Sequence, residues 1–352
     1  MEDYPRLNEL LFVDIYVCMD ASEPSRYSIP PKRGSIVATN LQVPNEYMQD
    51  INFLKSAIEK QPTSEFSIEF SNMRLRGSKC KMFDDRDWVA LRRLPLEPPR
   101  LESLNFKPEV IQEFQSWGSR SGLIIVGGAT RAGKTTTMVG ILSEYLRSHG
   151  GVAFTIEDPV EYFLQGPFGN GGYCYQHPVH EDHEWGEAVK TALRWAPRYI
   201  SLGEVRTPAA AKWLLRAATS GHLAICTIHG GSIEETLSAL LQIAQTELGA
   251  TANSVLADGL CAVIHQSITN GRPTVDILST TQQLSDTVRV AIRNQSLQTL
   301  GTYIEQQRTK REQKFKLSKM TENNETSNIM PNMGAKKSPI SEPTRKKLLG
   351  II

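Results

Sequence analysis

Short apolar runs alternate with helical patterns over the larger part of the chain. Four runs, at residues 123–126, 152–156, 199–202 and 224–227, have the length and apolar character of buried strands. Segments with apolar residues at helical spacing separate these runs. Strands that alternate with helices predict a parallel sheet in an α/β domain, which we place at residues 111–318.

The first part of the chain has a different pattern. Short apolar or alternating runs occur at residues 11–17 and 66–70, and a helical pattern covers residues 47–58. This mixture predicts a small α+β domain over residues 1–97.

Prolines mark the boundary between these two parts. Pro95, Pro98 and Pro99 interrupt regular structure, because proline removes a backbone donor and restricts the residue before it. We therefore place a linker at residues 98–110. The other end of the chain, residues 319–352, is polar and poor in aromatic residues, which predicts disorder. Its apolar C-terminal end either docks on a partner or frays.

Length, charge and hydropathy restrict the number of domains, the class of partner and the cellular location that the sequence predicts. The chain has 352 residues, enough for two domains, and a formal net charge of +1 from 39 basic and 38 acidic side chains. A net charge this small creates no overall electrostatic attraction for nucleic acid or anionic lipid, so direct nucleic-acid binding is not expected. The chain shows no signal-peptide pattern and no apolar run long enough to span a bilayer, which predicts a cytoplasmic protein.

Cysteine and histidine usage does not indicate a metal site. The five cysteines are scattered and never form a CxxC pair, so we expect reduced, mostly buried thiols without disulfides or a zinc ribbon. His177, His180 and His183 form an HxxHxxH run. No helical face or strand pair aligns all three histidines, so a polar loop is preferred over a metal site.

Residues 128–135 read GATRAGKT and match the P-loop pattern between a predicted strand and a helix. The glycines let backbone N–H groups turn toward a phosphate, and the helix N-terminus adds a positive dipole end. Lys134 is expected to reach the β- and γ-phosphates, and the Thr135 hydroxyl to ligate Mg²⁺. A glycine-rich turn without a ligand is the alternative. The expected nucleotide-binding residues are Gly128, Ala129, Thr130, Arg131, Ala132, Gly133, Lys134, Thr135 and Thr136.

Three further segments follow at the ends of predicted strands, where an open α/β sheet gathers its ligand site. They read TIEDPVEY at 155–162, RYISLGEVR at 198–206 and TSGHLAICTIHGGS at 219–232. A carboxylate at a strand end opposite the P-loop is suited to orient the water that attacks a phosphate. Glu204 is predicted to do so, and Glu157 either acts on the Mg²⁺ shell or shares the water. Helix-capping or surface acids are the alternative.

With the P-loop, these segments resemble the Walker A, Asp box, Walker B and His box of the secretion and pilus ATPase superfamily, in the family order. The superfamily includes PilT-like pilus motors and type II and type IV secretion ATPases. The resemblance extends from about residue 11 to residue 304, because DIYV at 14–17 and VAIRN at 290–294 look like its first and last segments. The stretches LRRLPLEPPRLESLNF and ALRWAPRYISLGE look most like the DotB and conjugation TraJ-like branch.

The resemblance implies a RecA-like P-loop domain preceded by a smaller PAS-like α+β domain, with ATP and Mg²⁺ as cofactors. It places the catalytic glutamates at Glu204 and Glu157. It also implies that His229 senses the γ-phosphate, for which a core histidine is the alternative. Three further residues match family positions and are expected to have supporting roles. The two arginines among them either assist catalysis or brace the sheet through ion pairs. These supporting residues are His222, and the two arginines Arg194 and Arg206.

Ring ATPases commonly complete hydrolysis with an arginine from another domain or subunit, since guanidinium neutralises transition-state charge. The resemblance places these arginine fingers in the N-terminal domain, where Arg76 and Arg92 are the nearest matches. Arg74 and Arg93 are adjacent competitors. An ordinary solvated arginine is the alternative for each of them.

The chain also departs from the family pattern. The usual P-loop reads GPTGSGK[ST], whereas Ala129, Arg131 and Ala132 stand here for a proline, a glycine and a serine. Arg131 puts a cation and a β-carbon where the loop is normally small, which leaves the turnover rate open. Arg198 stands before the Walker B strand where an acid is usual, and glycines replace the polar residues after His229.

The sequence therefore predicts an ATP-hydrolysing motor that forms a homo-hexameric ring and powers a type IV secretion, conjugation or type IV pilus machine. We expect it at the cytoplasmic face of the bacterial inner membrane, peripherally attached to platform proteins. An ATP-binding assembly or regulatory subunit with little turnover is the alternative. A small-molecule phosphotransferase is disfavoured, because no acceptor domain is recognisable. Cargo and direction of movement are left open.

Overall fold

Two β-sheets, one antiparallel and one mostly parallel, organise the computed structural model of the chain. The structure describes residues 6–20, 22–29, 40–169, 171–281 and 285–328, with side chains described as far as residue 318. The described residues through Arg308 form one compact unit, and those from Thr309 form a second.

The first sheet and its helix lie in the N-terminal part of the chain. Their bounds are β1 (Asp14–Cys18), β2 (Arg26–Ser28), β3 (Asn40–Gln42), α1 (Met48–Glu59), β4 (Glu65–Phe70), β5 (Met73–Lys81) and β6 (Asp87–Leu94). The six strands pair in the order β3-β2-β1-β6-β5-β4, and every pair is antiparallel.

One face of this sheet packs on α1. Alternate residues of β1, β5 and β6, such as Ile15, Leu75 and Leu91, are fully buried in one cluster with the apolar stripe of α1. That stripe contains Ile51, Leu54 and Ile58, which share one side of a helix because of their spacing. The opposite face carries polar residues. On it, Asp14, Arg92 and Arg76 are neighbours across three adjacent strands.

The second sheet follows a short helix. The elements of this region are α2 (Pro108–Ser116), β7 (Gly122–Gly128), α3 (Lys134–His149), β8 (Gly151–Glu157), β9 (Gly166–Phe168), β10 (Gly172–Pro178), α4 (Glu184–Arg194), β11 (Tyr199–Leu202), α5 (Pro208–Thr219), β12 (Leu223–His229), α6 (Ile233–Leu248), α7 (Ala252–Gly259), β13 (Leu260–Thr269), β14 (Arg272–Ser279), α8 (Ser285–Arg293) and α9 (Leu300–Asn328). The strand order is β14-β13-β7-β12-β11-β8-β10-β9.

The centre of this sheet is parallel and its two edge strands are antiparallel. The α/β fold expected from the sequence is confirmed, and an antiparallel-sheet domain precedes it. The four strands predicted from apolar runs are β7, β8, β11 and β12. The sequence pattern did not reveal the hairpins β9–β10 and β13–β14.

Helices cover both faces of the parallel sheet, which explains the continuous apolar runs. In β7, Leu123 and Ile125 point into a core with α4 to α7, whereas Ile124 and Val126 point into a core with α2 and α3. A strand that is buried on both faces has no polar alternation. The P-loop strand is therefore fixed from two sides.

The C-terminal helix extends beyond the predicted boundary. We expected disorder from residue 319, but α9 continues to Asn328. Residues 319–328 include three asparagines and two threonines, which are weak helix formers, so their own composition does not explain this extension of the helix. The rest of the predicted tail, residues 329–352, lies outside the described residues.

The cysteines are free, and four of the five are buried, as expected; Cys80 on β5 is exposed. Burial raises the pKa of the Cys174, Cys226 and Cys261 thiols. No helix among the described residues is long and apolar enough to cross a membrane.

Candidate nucleotide site

The P-loop connects the end of β7 to the start of α3. Gly128 and Gly133 have φ angles of 151° and 82°, which side chains other than glycine rarely adopt. A β-carbon on Gly128 would lie 2.4 Å from the backbone oxygen of Gln266. Both glycines are therefore required by the turn itself, in agreement with the motif.

Lys134 is held inside the loop. Its Nζ donates hydrogen bonds to the backbone oxygens of Gly128, at 3.0 Å, and Ala129, at 2.9 Å, and lies 3.5 Å from Nδ1 of His229. Burial lowers the pKa of this lysine, and the nearby carboxylates of Glu204 and Glu161 counteract part of that effect. The ammonium group is thus aimed at the cleft and surrounded by acceptors.

A continuous series of side-chain contacts leads from this lysine through the three motif segments that follow the P-loop in the sequence. His229 Nε2 lies 3.1 Å from Glu204 Oε1, and Arg206 Nε donates to Glu204 Oε2 at 3.0 Å. Arg206 Nη1 then donates to Asp158 Oδ2 at 3.2 Å. Because the lysine ammonium only donates, His229 Nδ1 faces it as an acceptor and Nε2 carries the proton directed at Glu204. One series therefore joins the Walker A, His box, Walker B and Asp box.

Glu157 lies in a different environment from Glu204. It is 3% exposed, and Oε1 accepts hydrogen bonds from Thr155 Oγ1 at 2.7 Å and Gln176 Nε2 at 2.9 Å. Burial raises the pKa of the Glu157 carboxyl, and these two hydrogen bonds oppose the shift. The Glu204 side chain is 24% exposed. The two predicted catalytic acids are thus one buried and one partly solvated carboxyl group.

The residues after Glu157 form a strap, residues 158–165, across the cleft. Tyr162 in the strap makes a hydrogen bond of 2.9 Å to Thr136 Oγ1 on α3. On its other side, the strap meets the N-terminal sheet, where the guanidinium of Arg74 lies 4.0 Å from the ring centroid of Phe163. The strap therefore contacts both the P-loop helix and β5.

Arg131 is the one P-loop residue with an unfavourable backbone. Its φ of 65° is in the left-handed region, where a side chain costs about 1 kcal/mol relative to glycine. The departure from the family's glycine at this position thus has a physical consequence. Arg131 is exposed at the edge of the cleft.

The predicted P-loop and carboxylate residues converge on one cleft of about 460 Å³. It is lined by Thr130, Arg131, Gly133, Lys134, Thr135, Thr136, Glu157, Asp158, Pro159, Glu161, Gly203, Glu204, Arg206, Thr227 and His229. Of the remaining predicted loop residues, Gly128 and Ala129 supply the oxygens that hold Lys134. Ala132 is buried beneath the loop.

Four other predicted residues lie outside this cleft. Arg92 is paired with Asp14 at 2.8 Å on the N-terminal sheet, beside Arg76 on the next strand. His222 Nδ1 lies 2.6 Å from the Pro197 oxygen, where it ties two loops together. Arg194 is exposed at the end of α4.

Two glutamines that contact the site residues were not predicted from the sequence. Gln266 on β13 is 2% exposed; its Nε2 donates to the Ala132 oxygen at 2.6 Å and its Oε1 accepts from Thr137 Oγ1 at 2.7 Å. Gln176 on β10 bonds Glu157 and the strap. Neither glutamine belongs to a motif. Each contacts at least one residue that is distant from it in the sequence.

These features define a P-loop nucleotide-binding protein with an α/β core. The profile of the family described as Type II/IV secretion system protein matches residues 60–335, and the chain belongs to that family.

Relatives by sequence include the uncharacterized protein YggR of Escherichia coli (strain K12), 31% identical over 274 residues, which are 72% of this chain and 76% of that protein. The type IV pilus ATPase PilU of Pseudomonas aeruginosa is 28% identical over 57% of this chain and 53% of its own length. The retraction ATPase PilT of the same species is 32% identical over 42% of each chain. The matched segment thus spans about half of these two pilus proteins or less.

Solved structures show the same fold. The pilus retraction motor PilT with bound ADP matches with a TM-score of 0.66 and 25% identity, over 85% of this chain and 87% of that one. The ATPase DotB of Legionella pneumophila matches with a TM-score of 0.67 and 19% identity, over 85% of each chain. The likeness to DotB expected from the sequence therefore holds at the level of the fold.

Proposed function

We propose that this protein hydrolyses ATP and acts as the motor of a secretion, conjugation or type IV pilus machine. The observation that supports the proposal best is the series of contacts from Lys134 through His229 and Glu204 to Arg206 and Asp158. It connects the phosphate-binding lysine to a carboxylate at the end of β11, two strands away from β7, and phosphoryl transfer to water requires such a carboxylate near the phosphates.

In this proposal Lys134 exchanges a backbone oxygen for a phosphate oxygen and neutralises charge on the β- and γ-phosphates. Glu204 orients a water molecule and accepts its proton as the water oxygen bonds to the γ-phosphorus and the bond to the bridging oxygen breaks. Arg206 and His229 hold the two oxygens of Glu204 in place. His229 is then the residue that registers the loss of the γ-phosphate.

The residues fit Mg²⁺ delivered with the nucleotide. Thr135 lines the cleft beside the carboxylates of Glu157, Asp158 and Glu161, and hydroxyl and carboxylate oxygens suit this cation. Thr135 would bind the ion and Glu157 would act on its outer shell. When bound, the ion supplies charge neutralisation along the phosphates.

Arginine fingers would come from an N-terminal domain. Arg76 and Arg92 share the polar face of the antiparallel sheet, and the hydrogen bond that Arg92 donates to Asp14 raises the pKa of Arg92, which keeps it cationic. In the proposed homo-hexamer, these residues reach a nucleotide in a cleft completed by a neighbouring copy. The ring would work at the cytoplasmic face of the inner membrane with platform proteins of the machine.

The variant Glu204→Gln tests hydrolysis directly. It keeps the size of the side chain but cannot accept the proton, so phosphate release should fall by at least about 100-fold. ATP binding, measured by a fluorescent analogue, should stay within about threefold of the unmodified protein, because Lys134 and the loop are unchanged.

Glu109→Gln on α2 is the matched control, and we expect it to leave both measurements unchanged. If the assembled, unmodified protein binds ATP but releases no phosphate, the motor proposal fails. The strained Arg131 would then favour the second candidate, an ATP-binding assembly or regulatory subunit.

A further inference from the structure

The side chain of Gln176 makes more hydrogen bonds than any motif residue of the cleft. Nε2 donates to Glu157 Oε1 and to the Tyr162 oxygen, each at 2.9 Å. Oε1 accepts from the backbone N–H groups of Leu164, at 2.6 Å, and Gln165, at 2.8 Å. Both hydrogens of the amide and both lone pairs of its oxygen are therefore used.

These four bonds join a carboxylate to a loop. One goes to a buried acid at the end of β8, and three go to the backbone of the strap, residues 158–165. The strap in turn contacts α3 through Tyr162 and β5 through Phe163. A movement of the strap away from β10 would break the hydrogen bonds of the same amide that fixes Glu157.

We propose that Gln176 is a positioning residue, whose amide fixes the Glu157 carboxylate in the nucleotide cleft only while the strap is docked. This proposal rests on the proposed ATPase function, since it assigns Glu157 a place in that reaction. The amide acts through Glu157 and does not itself line the cleft. The strap thereby makes catalysis depend on contacts that reach the N-terminal sheet.

A purely structural role for Gln176 is the competing explanation, because a partly buried amide with all its hydrogen bonds made also stabilises a fold. Gln165 offers a matched comparison within the same region. Its side-chain Oε1 accepts from the backbone N–H of Gln176 at 2.8 Å, so it also ties the strap to β10. This side-chain hydrogen bond of Gln165 does not involve Glu157.

The test compares Gln176→Met with Gln165→Ala in the full-length protein. Gln176→Met keeps an uncharged side chain of similar length but loses all four bonds. We expect kcat to fall about 10- to 100-fold with KM for ATP within about threefold, since misplacement of a reacting group affects the transition state. Gln165→Ala should keep kcat within about twofold. If Gln176→Met does not fold, Gln176→Asn, one methylene shorter, takes its place.

Hydrogen exchange of peptides that cover residues 158–165 gives a readout that does not need turnover. We expect faster exchange in Gln176→Met than in Gln165→Ala. Unchanged exchange, or equal losses of kcat in the two variants, overturns the positioning role. Absence of hydrolysis in the unmodified protein instead counts against the proposed function, and the exchange result then decides whether Gln176 docks the strap.

Discussion

At the scale of single residues, the two glutamates of the cleft show how environment separates chemically identical groups. Glu204 keeps two cationic or proton-donating partners and contact with solvent, whereas Glu157 is enclosed and bonded by neutral donors. A carboxylate prefers the first environment and a protonated carboxyl the second. The burial of Glu157 thus has a cost for the fold, which the role proposed for this residue in the cleft would explain.

This cost leads to a prediction about Glu157→Gln. Burial raises the pKa of the carboxyl in the folded state, so the ionised form opposes folding. The contribution of Glu157 to the stability of the unmodified protein should fall as pH rises from the ordinary carboxyl pKa through the raised one. The neutral variant escapes this loss. Its melting temperature should therefore exceed that of the unmodified protein at pH 8 and not at pH 4, by thermal denaturation.

The exposed Glu102, changed to glutamine, serves as the control and should show no such pH-dependent difference. A Glu157→Gln protein that is less stable at pH 8 would contradict this account of the carboxyl.

At the scale of elements, the sequence was informative wherever a signal is local. Apolar runs located the strands that bear the site, and the P-loop and its glycines follow from a contiguous motif. Gln176 is 19 residues from Glu157, and Gln266 is 129 residues from Thr137. Such pairings depend on the strand order, which places β13 beside β7 and β10 beside β8. Periodicity within one segment contains no information about them.

The support that β13 gives to the P-loop is testable through Gln266→Leu. This variant removes the hydrogen bonds that Gln266 makes to the Ala132 oxygen and the Thr137 hydroxyl, while both groups stay buried. We expect a loss of about 1–3 kcal/mol in unfolding free energy by urea denaturation, with weaker ATP binding. Ser267→Ala, the next and exposed position on β13, should leave both unchanged. Equal stability of the two variants would show that the hydrogen bonds of Gln266 are not needed to hold the P-loop.

At the scale of the whole molecule, the candidate arginine fingers do not line the cleft of their own chain, which is compatible with a role across a subunit boundary. Arg76 and Arg92 lie on the antiparallel sheet, outside the set of residues that line the cleft of the same chain. If they neutralise transition-state charge, they must approach a cleft by domain movement or from another copy. The sequence predicted these residues from family resemblance. After the hydrogen bond to Asp14, the cleft carboxylate of Glu161 also contributes to the raised pKa of Arg92, so this arginine lies within electrostatic reach of the cleft without lining it.

Native mass spectrometry tests the assembly. We expect Glu204→Gln with ATP to favour a species of six copies, since trapped nucleotide would hold the subunit boundaries together. Lys134→Ala, which lacks the phosphate-binding ammonium, should assemble less under the same conditions. A strictly monomeric protein at micromolar concentration with ATP would contradict the ring.

The distribution of thiols has a practical consequence for studying such movement. Only Cys80 among the five cysteines is exposed, and it lies on the strand that also carries Arg74 and Arg76. Because thiolate is the species that reacts with maleimides, burial protects the others while Cys80 remains open to labelling. The unmodified chain thus accepts a single fluorophore on its N-terminal sheet. Energy transfer from that dye to a labelled nucleotide would follow the approach of the sheet to the cleft in real time.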